Sequence, residues 1–296
     1  MRQVVFLSSP ELWERGHGRQ HPLKPERLRR THELLAEYGA LELANVRVLA
    51  PRQATAGELT LFHTAEYVDI VHTLSLGQGD IPAHRYGFGP GDNPVFQGMY
   101  ESEGRKVGSA LQAAELLVDG SCDIAFSYGG GLHHGGPSLA SGFCVFNDAA
   151  VAIHWLMGQG QRVAYIDIDV HHGDGVQAAF YDSDRVLTIS LHQDGHTLFP
   201  GTGFVGESGA GDGQGYSVNL PLPPYTDDET YLWAFGQVVP PLVERFSPDV
   251  VVTQLGVDTH YRDPLASLAL TSLGQQHNDW LAVQLLRAVL RFYLRA

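Results

Sequence analysis

Asp167-Ile168-Asp169-Val170-His171-His172-Gly173-Asp174-Gly175 places three carboxylates and two imidazoles within nine residues, directly after an apolar run that begins at Val163. A cluster of this kind at a strand end reads as a metal site. Carboxylate and neutral imidazole together suit a borderline divalent ion such as zinc, and Fe(II) can occupy the same ligands. No cysteine lies nearby, which argues against a closed structural zinc knuckle and for an open, water-bearing catalytic site. In an extended chain alternate side chains share a face, so Asp167, Asp169 and His171 are expected to point the same way as the chain leaves the sheet. An ion with an open position needs ligands from more than one direction, so a second segment must close the site.

The best second segment is Asp249 to His260, where the apolar run Val250 to Leu255 ends in Gly256-Val257-Asp258-Thr259-His260. Asp258 is either a cap for the following turn or the closing carboxylate, and the cluster at 167–175 favours the second. A third segment offers acid/base chemistry. Ile124 to Tyr128 reads as a buried strand that runs into Gly129-Gly130-Gly131-Leu132-His133-His134-Gly135-Gly136-Pro137, a loop too rich in glycine for helix or sheet. A histidine with a carboxylate partner can take a proton from metal-bound water, and Asp167 and Asp174 are available as partners. The competing readings make His133 and His134 metal ligands or solvated loop residues.

Strand-like segments at Val4 to Leu7, Ile124 to Tyr128, Val163 to Ile168, Val186 to Leu191 and Val250 to Leu255 alternate with helical patterns. The helices are expected at Pro25 to Tyr38, Thr64 to Leu76, Gln97 to Val118, Asn147 to Met157, Asp227 to Phe246 and Leu281 to Leu294. This alternation predicts an α/β fold, a mainly parallel central sheet with helices on both faces, formed as one domain over residues 1–296. The polar motifs fall in loops after strands, where open α/β sheets place their ligands. With 44% hydrophobic residues the chain can bury a sizeable core.

These segments resemble the histone deacetylase family of zinc amidohydrolases, in particular the bacterial acetoin-utilisation type. The matching motifs are His21-Pro22-Leu23-Lys24-Pro25-Glu26-Arg27, Gly91 to Phe96, Gly131-Leu132-His133-His134, Ser141-Gly142-Phe143-Cys144-Val145-Phe146-Asn147-Asp148, the nine-residue cluster, Leu198-Phe199-Pro200-Gly201-Thr202-Gly203 and Gly256 to His260, in that order. The resemblance implies an arginase/deacetylase-like fold and zinc held by Asp169, His171 and Asp258. It implies His134, oriented by Asp174, as general base, and His133, oriented by Asp167, as its electrostatic partner and proton donor. Phe143, preceded by Gly142, and Phe199 would line a narrow tube for the acyl-lysine stem, Asp92 would accept hydrogen bonds from the substrate backbone at the rim, and Arg27 would lie near an acetate exit. A potassium ion would sit against Asp167, Asp169 and His171 with Ser190 and Leu191, and a second around the carbonyls of Phe180, Ser183 and Val186.

The family also stabilises the tetrahedral oxyanion with a tyrosine in a Gly-Gly-Gly-Tyr type of segment some dozens of residues after the last zinc-binding aspartate. No such segment follows Asp258 here; the later Tyr293 lies within Leu290-Arg291-Phe292-Tyr293-Leu294-Arg295 and reads as packing. The C-terminal part is therefore expected to be shortened, with an exposed sheet edge or apolar face, and activity is expected to fall roughly a hundredfold to a thousandfold for want of one oxyanion donor. A non-catalytic acyl-lysine binding protein is the corresponding alternative. An arginase-like hydrolase with two bridged manganese ions is another, although that class wants bridging carboxylates beyond Asp258.

The formal net charge of −14, with no basic patch, weighs against nucleic-acid binding and suits a cationic substrate. An acetylated lysine in a protein or peptide, or an acetylated polyamine or other small amine, meets that description. Two cysteines give no disulfide framework, no secretory signal opens the chain, and no stretch is long enough to span a bilayer, so a cytoplasmic protein is expected. The oligomeric state is not encoded in any motif.

Overall fold

The apolar runs become parallel strands that alternate with helices, in the computed structural model that describes residues 2–18 and 20–274. The chain separates into two compact units, Met1–Trp155 and Leu156–Ala296, each with its own strands and core.

In the first unit β1 (Val4–Leu7) is flanked in parallel by β2 (Val46–Leu49) and β3 (Ile124–Phe126). Val5 and Leu7 of the middle strand are fully buried. Between the strands lie α1 (Glu26–Glu37), α2 (Ala56–Leu59), α3 (Ala65–Ser75) and α4 (Met99–Val118), the last packing on β1 and β3. Their starts follow from capping chemistry. Thr55 and Glu58 form a reciprocal capping box on α2, and the Thr64 side chain accepts from the Tyr67 amide at the start of α3. A core of Tyr67, Val71, Phe88, Met99, Leu111, Phe146 and neighbours fills the unit. The first residues of α5 (Asp148–Gly158) also belong to it.

The second unit orders its strands β6-β5-β4-β7, all parallel: β4 (Val163–Asp167), β5 (Val186–Gln193), β6 (Ser217–Leu222) and β7 (Val250–Gln254). Every residue of β4 and β5 is buried; β4 accordingly reads as an apolar run up to Asp167, whereas β5 alternates apolar residues with the buried polar side chains of Thr188, Ser190 and His192. The short α6 (Asp174–Ala179) follows β4, and α7 (Asp228–Phe246), capped by Asp227 on the Thr230 amide, packs on β4 and β5 through Tyr231, Phe235, Val239 and Val243. The register sets Asp167 beside both Ser190 and Gln254, so the polar ends of three strands meet at one edge of the unit.

The expected parallel α/β architecture is present. The strand expected at Ile124 to Tyr128 stops at Phe126, and that at Val186 to Leu191 runs on to Gln193. β2 and β6 were not expected: β2 is short, half-exposed and carries Arg47, and β6 contains Asn219 and Pro221, a residue that an edge strand tolerates and a central one does not. The helix expected at Leu281 to Leu294, Tyr293 and the segment from Gln275 lie outside the described residues. Among the described residues no helix is long and apolar enough to cross a membrane.

Candidate active site

The site in the second unit is built by carboxylates that fold the chain back on itself. After Asp167 the strand ends, and Asp167 Oδ1 accepts the Asp169 amide at 3.1 Å while Asp169 Oδ1 accepts the His171 amide at 2.9 Å. Two successive side-chain turns replace the lost ladder and keep alternate side chains on one side. Asp258 closes the group from the loop after β7, anchored by the Val170 amide on its Oδ1 at 2.9 Å. His171 Nδ1 then lies 3.1 Å from Asp169 Oδ1 and 3.0 Å from Asp258 Oδ2. One donor atom from each of the three residues lies within 4.8 Å of the others.

Two donors each about 2.0–2.2 Å from one ion sit roughly 3–3.5 Å apart, so the observed spacing and the mixed oxygen and nitrogen donor set fit a divalent cation. The protonation equilibria carry the same sign. Burial by itself lowers an imidazole pKa, but at His171 the hydrogen bonds and charges of Asp169 and Asp258 outweigh it and push it up to about 10. Burial and the Asp169 charge push Asp258 up to about 7. Negative charge is gathered here in excess of what protein partners neutralise.

On each carboxylate the oxygen turned away from His171 Nδ1 is engaged. Asp258 Oδ1 takes the Val170 amide, and Asp169 Oδ2 takes the Gln254 side-chain amide at 2.8 Å. Gly256 is required for the second contact, because a Cβ there would stand 2.1 Å from Asp169 Oδ2. Asp167 is fully buried and receives the Tyr165 hydroxyl on Oδ2 at 2.7 Å. Asp174 is half-buried at the start of α6. Ser190 Oγ lies 2.8 Å from His192 Nδ1, and Leu191 is buried in β5. Phe180 is buried at the end of α6, its carbonyl accepting the Ser183 amide, and Val186 opens β5.

His172, adjacent to the triad, is not part of it. Its Nδ1 lies 2.9 Å from Thr202 Oγ1 and its Nε2 3.1 Å from Gln177 Oε1. Gln177 in turn donates to Glu207, which accepts the amides of Gly203 and Phe204, while His192 Nε2 donates to the Gly203 carbonyl at 2.9 Å. This buried network fastens the loop that carries Phe199, whose ring meets His171 edge-on with centroids 6.4 Å apart.

In the first unit the paired histidines are buried, their ring centroids 4.1 Å apart. The N-terminus of α5 holds their loop. Asp148 accepts the amides of Gly131 and Leu132 at 3.1 and 2.7 Å; Asn147 donates to the carbonyls of His133 and Gly135 and caps the helix through Oδ1 on the Ala150 amide. His63, also buried, accepts the Asn147 amide at 3.0 Å. Gly130 must be glycine, since a Cβ would meet Asp148 Oδ2 at 2.1 Å. Asn147 thus caps α5, and together with Asp148 it grips the histidine loop.

Gly142 and Phe143, with φ of 50° and 70°, form the two central residues of a tight turn closed by the Ser141 and Cys144 backbones. A left-handed phenylalanine in that position is strained by about 1–3 kcal/mol, and such strain gathers at working sites. Its ring stands edge-on to His21, whose Nε2 donates to the Asp92 carbonyl. Asp92 itself is exposed, and Arg27, exposed on α1, borders a small cavity with Arg15, His17, Lys24 and Lys106.

The sequence profile of the Histone deacetylase domain matches residues 21–291. The acetoin utilization protein AcuC of Bacillus subtilis is 42% identical over 275 residues, which cover 92% of this chain and 70% of that protein. The histone deacetylase HDAC1 of Drosophila melanogaster is 40% identical over 276 residues, covering 92% of this chain and 52% of that one. A crystal structure of an HDAC homolog from Aquifex aeolicus superposes with a TM-score of 0.88 at 33% identity over 97% of this chain and 76% of that one, and an HDAC homolog complexed with SAHA gives 0.87. Profile, relatives and fold agree, and the chain belongs to the histone deacetylase family, among its acetoin-utilisation-type members.

Proposed function

We propose that this chain is a zinc-dependent deacetylase that removes acetyl groups from acetyl-lysine in a protein or peptide, or from an acetylated polyamine or other small amine. The observation that carries the reading is the convergence of Asp169, His171 and Asp258, each offering one donor toward a common point while the remaining carboxylate oxygens are engaged elsewhere. Such engagement favours one ion over the bridged pair of an arginase-like centre, which needs carboxylates with both oxygens available. A divalent ion at this triad would polarise the amide carbonyl and acidify a water.

The chain's own residues supply the rest. His134, oriented by Asp174, accepts the proton of the attacking water, and His133, oriented by Asp167, stabilises the developing charge and donates a proton to the departing amine. Phe143 and Phe199, with Gly142 allowing close approach, hold the apolar stem; Asp92 receives the substrate backbone, and Arg27 attracts the acetate product. Asp167, Asp169, His171, Ser190 and Leu191 would hold a potassium ion. Zinc is the expected ion, with Fe(II) as its competitor for the same donors.

The test is turnover of an acetyl-lysine peptide by the zinc-reconstituted chain, with His134→Ala as the control for contaminating activity and metal analysis alongside. Turnover lost in the variant, with one zinc per chain, supports the reading. Folded, zinc-loaded protein without turnover would sink it in favour of a binding protein, and two metal ions per chain would favour the arginase-like centre.

A further inference from the structure

Gln254, the last residue of β7, carries no charge, has no place in the acid/base chemistry and is buried. Its side chain nevertheless touches the metal triad. Gln254 Nε2 donates to Asp169 Oδ2 at 2.8 Å, and its Oε1 accepts the Gly256 amide at 2.6 Å. The second bond determines the first. A backbone N–H can only donate, so the amide oxygen must face Gly256 and the NH2 group must face Asp169. The strand register, which pairs Gln254 with Asp167, fixes where that NH2 stands.

Asp169 Oδ2 is thereby held twice, by the Gln254 N–H and by the bare Cα of Gly256 against which it packs. Only Asp169 Oδ1 faces His171 Nδ1. Asp258 is treated in the same way through the Val170 amide on its Oδ1. Each carboxylate thus turns one oxygen toward His171, and on Asp169 the other is held by the Gln254 side chain.

We infer that Gln254 is a positioning residue that keeps Asp169 a one-oxygen ligand and so sets the preference of the centre for an ion content with few protein donors over one that demands a fuller oxygen shell. Zn2+ is of the first kind, and Mn2+, which favours octahedral oxygen coordination, is of the second. Without the Gln254 N–H, Asp169 Oδ2 is free to turn onto the ion, raising the donor count. The inference rests on the proposed metal centre.

The experiment compares the wild-type chain with Gln254→Met, which keeps the side-chain length and removes both polar groups, and Gln254→Glu, which keeps an oxygen for the Gly256 amide, removes the donor and adds a charge. Dissociation constants for Zn2+ and Mn2+ are measured by chelator competition, and the visible absorption of the Co2+-loaded protein reports coordination number, intense for four-coordinate and weak for six-coordinate cobalt. Losing an outer hydrogen bond of this kind weakens a metal site roughly 10–100-fold. The expected result is a loss of that size for Zn2+ with a much smaller change for Mn2+, so that the Mn2+-to-Zn2+ ratio of dissociation constants falls at least about tenfold in both variants and the Co2+ bands weaken. The added charge of Gln254→Glu acts on both ions alike and cancels in the ratio. If Gln254→Met fails to fold by circular dichroism, Gln254→Glu decides alone. A ratio within twofold of wild type, with unaltered Co2+ bands, would overturn the inference and leave the metal centre standing. Failure of the wild-type chain to bind either ion would overturn both.

Discussion

Replacing Gly256 by alanine tests the metal centre through a single methyl group. Its φ lies outside the left-handed region, so the backbone accepts alanine and the effect is confined to the space the Cβ would occupy. That Cβ would stand 2.1 Å from Asp169 Oδ2, 2.7 Å from its Cγ and 2.9 Å from its Cβ, where ordinary contact begins near 3.4 Å. The carboxylate must withdraw by roughly 1.3 Å, and ligand distances in a working centre hold to about 0.2 Å. Asp169 cannot turn aside freely either, because Gln254 and the His171 amide hold its two oxygens at 2.8 and 2.9 Å. Breaking those bonds costs the metal-free fold about 2 kcal/mol. Zinc affinity should fall by at least about a hundredfold, or about 2.7 kcal/mol. Chelator competition measures the affinity, and thermal melting with and without EDTA separates it from the fold: the wild type should melt lower in EDTA, and Gly256→Ala should melt alike in both. A variant that binds zinc as the wild type does would show that Asp169 Oδ1 is not held where the chemistry requires it.

Asn147→Ala removes two hydrogen bonds that tie the histidine loop to α5 and the bond that caps that helix, and should lower stability to urea by about 3 kcal/mol and reduce kcat more than it raises KM; an unchanged kcat in folded protein would deny the loop its role. Phe143→Gly relieves a left-handed phenylalanine, so the variant should be at least as stable as wild type while KM for an acetyl-lysine peptide rises, and a lower melting temperature would refute the strain. His17, His63 and His192 are each depressed to about 4, burial being the main cause, so metal-free protein should lose stability as pH falls from 6.5 toward 4, because the unfolded chain takes up protons that the native one refuses. Asp258, raised chiefly by burial, binds a proton in the native state and opposes part of that uptake, so stability in urea titrations should fall between pH 6 and 5 by less than the three histidines alone would give; a flat profile would refute it.

The parts legible in the sequence were those whose signal is local. Asp169 and His171 stand two residues apart after an apolar run, and the turns that align them are made by neighbouring carboxylates on neighbouring amides, so spacing alone carried the geometry. Asp258 could be paired with them because it too follows a strand. Gln254 was invisible, since a neutral amide at a strand end has no motif and its contact with Asp169 arises from the pairing of β7 with β4. His172 shows the opposite difficulty: in sequence it is indistinguishable from His171, and only the fold turns it toward Thr202 and Gln177. β2 and β6 escaped notice because edge strands are released from the apolar pattern that marks central ones.

The triad also explains why so many neutral donors surround so few acids. Asp167, Asp169 and Asp258 lie close together with little access to water, and three ionised carboxylates in such a place repel one another. Tyr165, Gln254 and the amides of Asp169, His171 and Val170 each place a dipole on one of these oxygens without supplying a charge. The hydrogen bonds and charges of Asp169 and Asp258 raise His171, and burial raises Asp258, so both groups bind a proton more readily than the free side chains do. A cation entering the site would compete with those protons, so the dipoles and an ion would do separate work. The dipoles fix which oxygen of each carboxylate points inward, and an ion, by taking the place of the protons, would relieve the charge that the dipoles leave uncompensated.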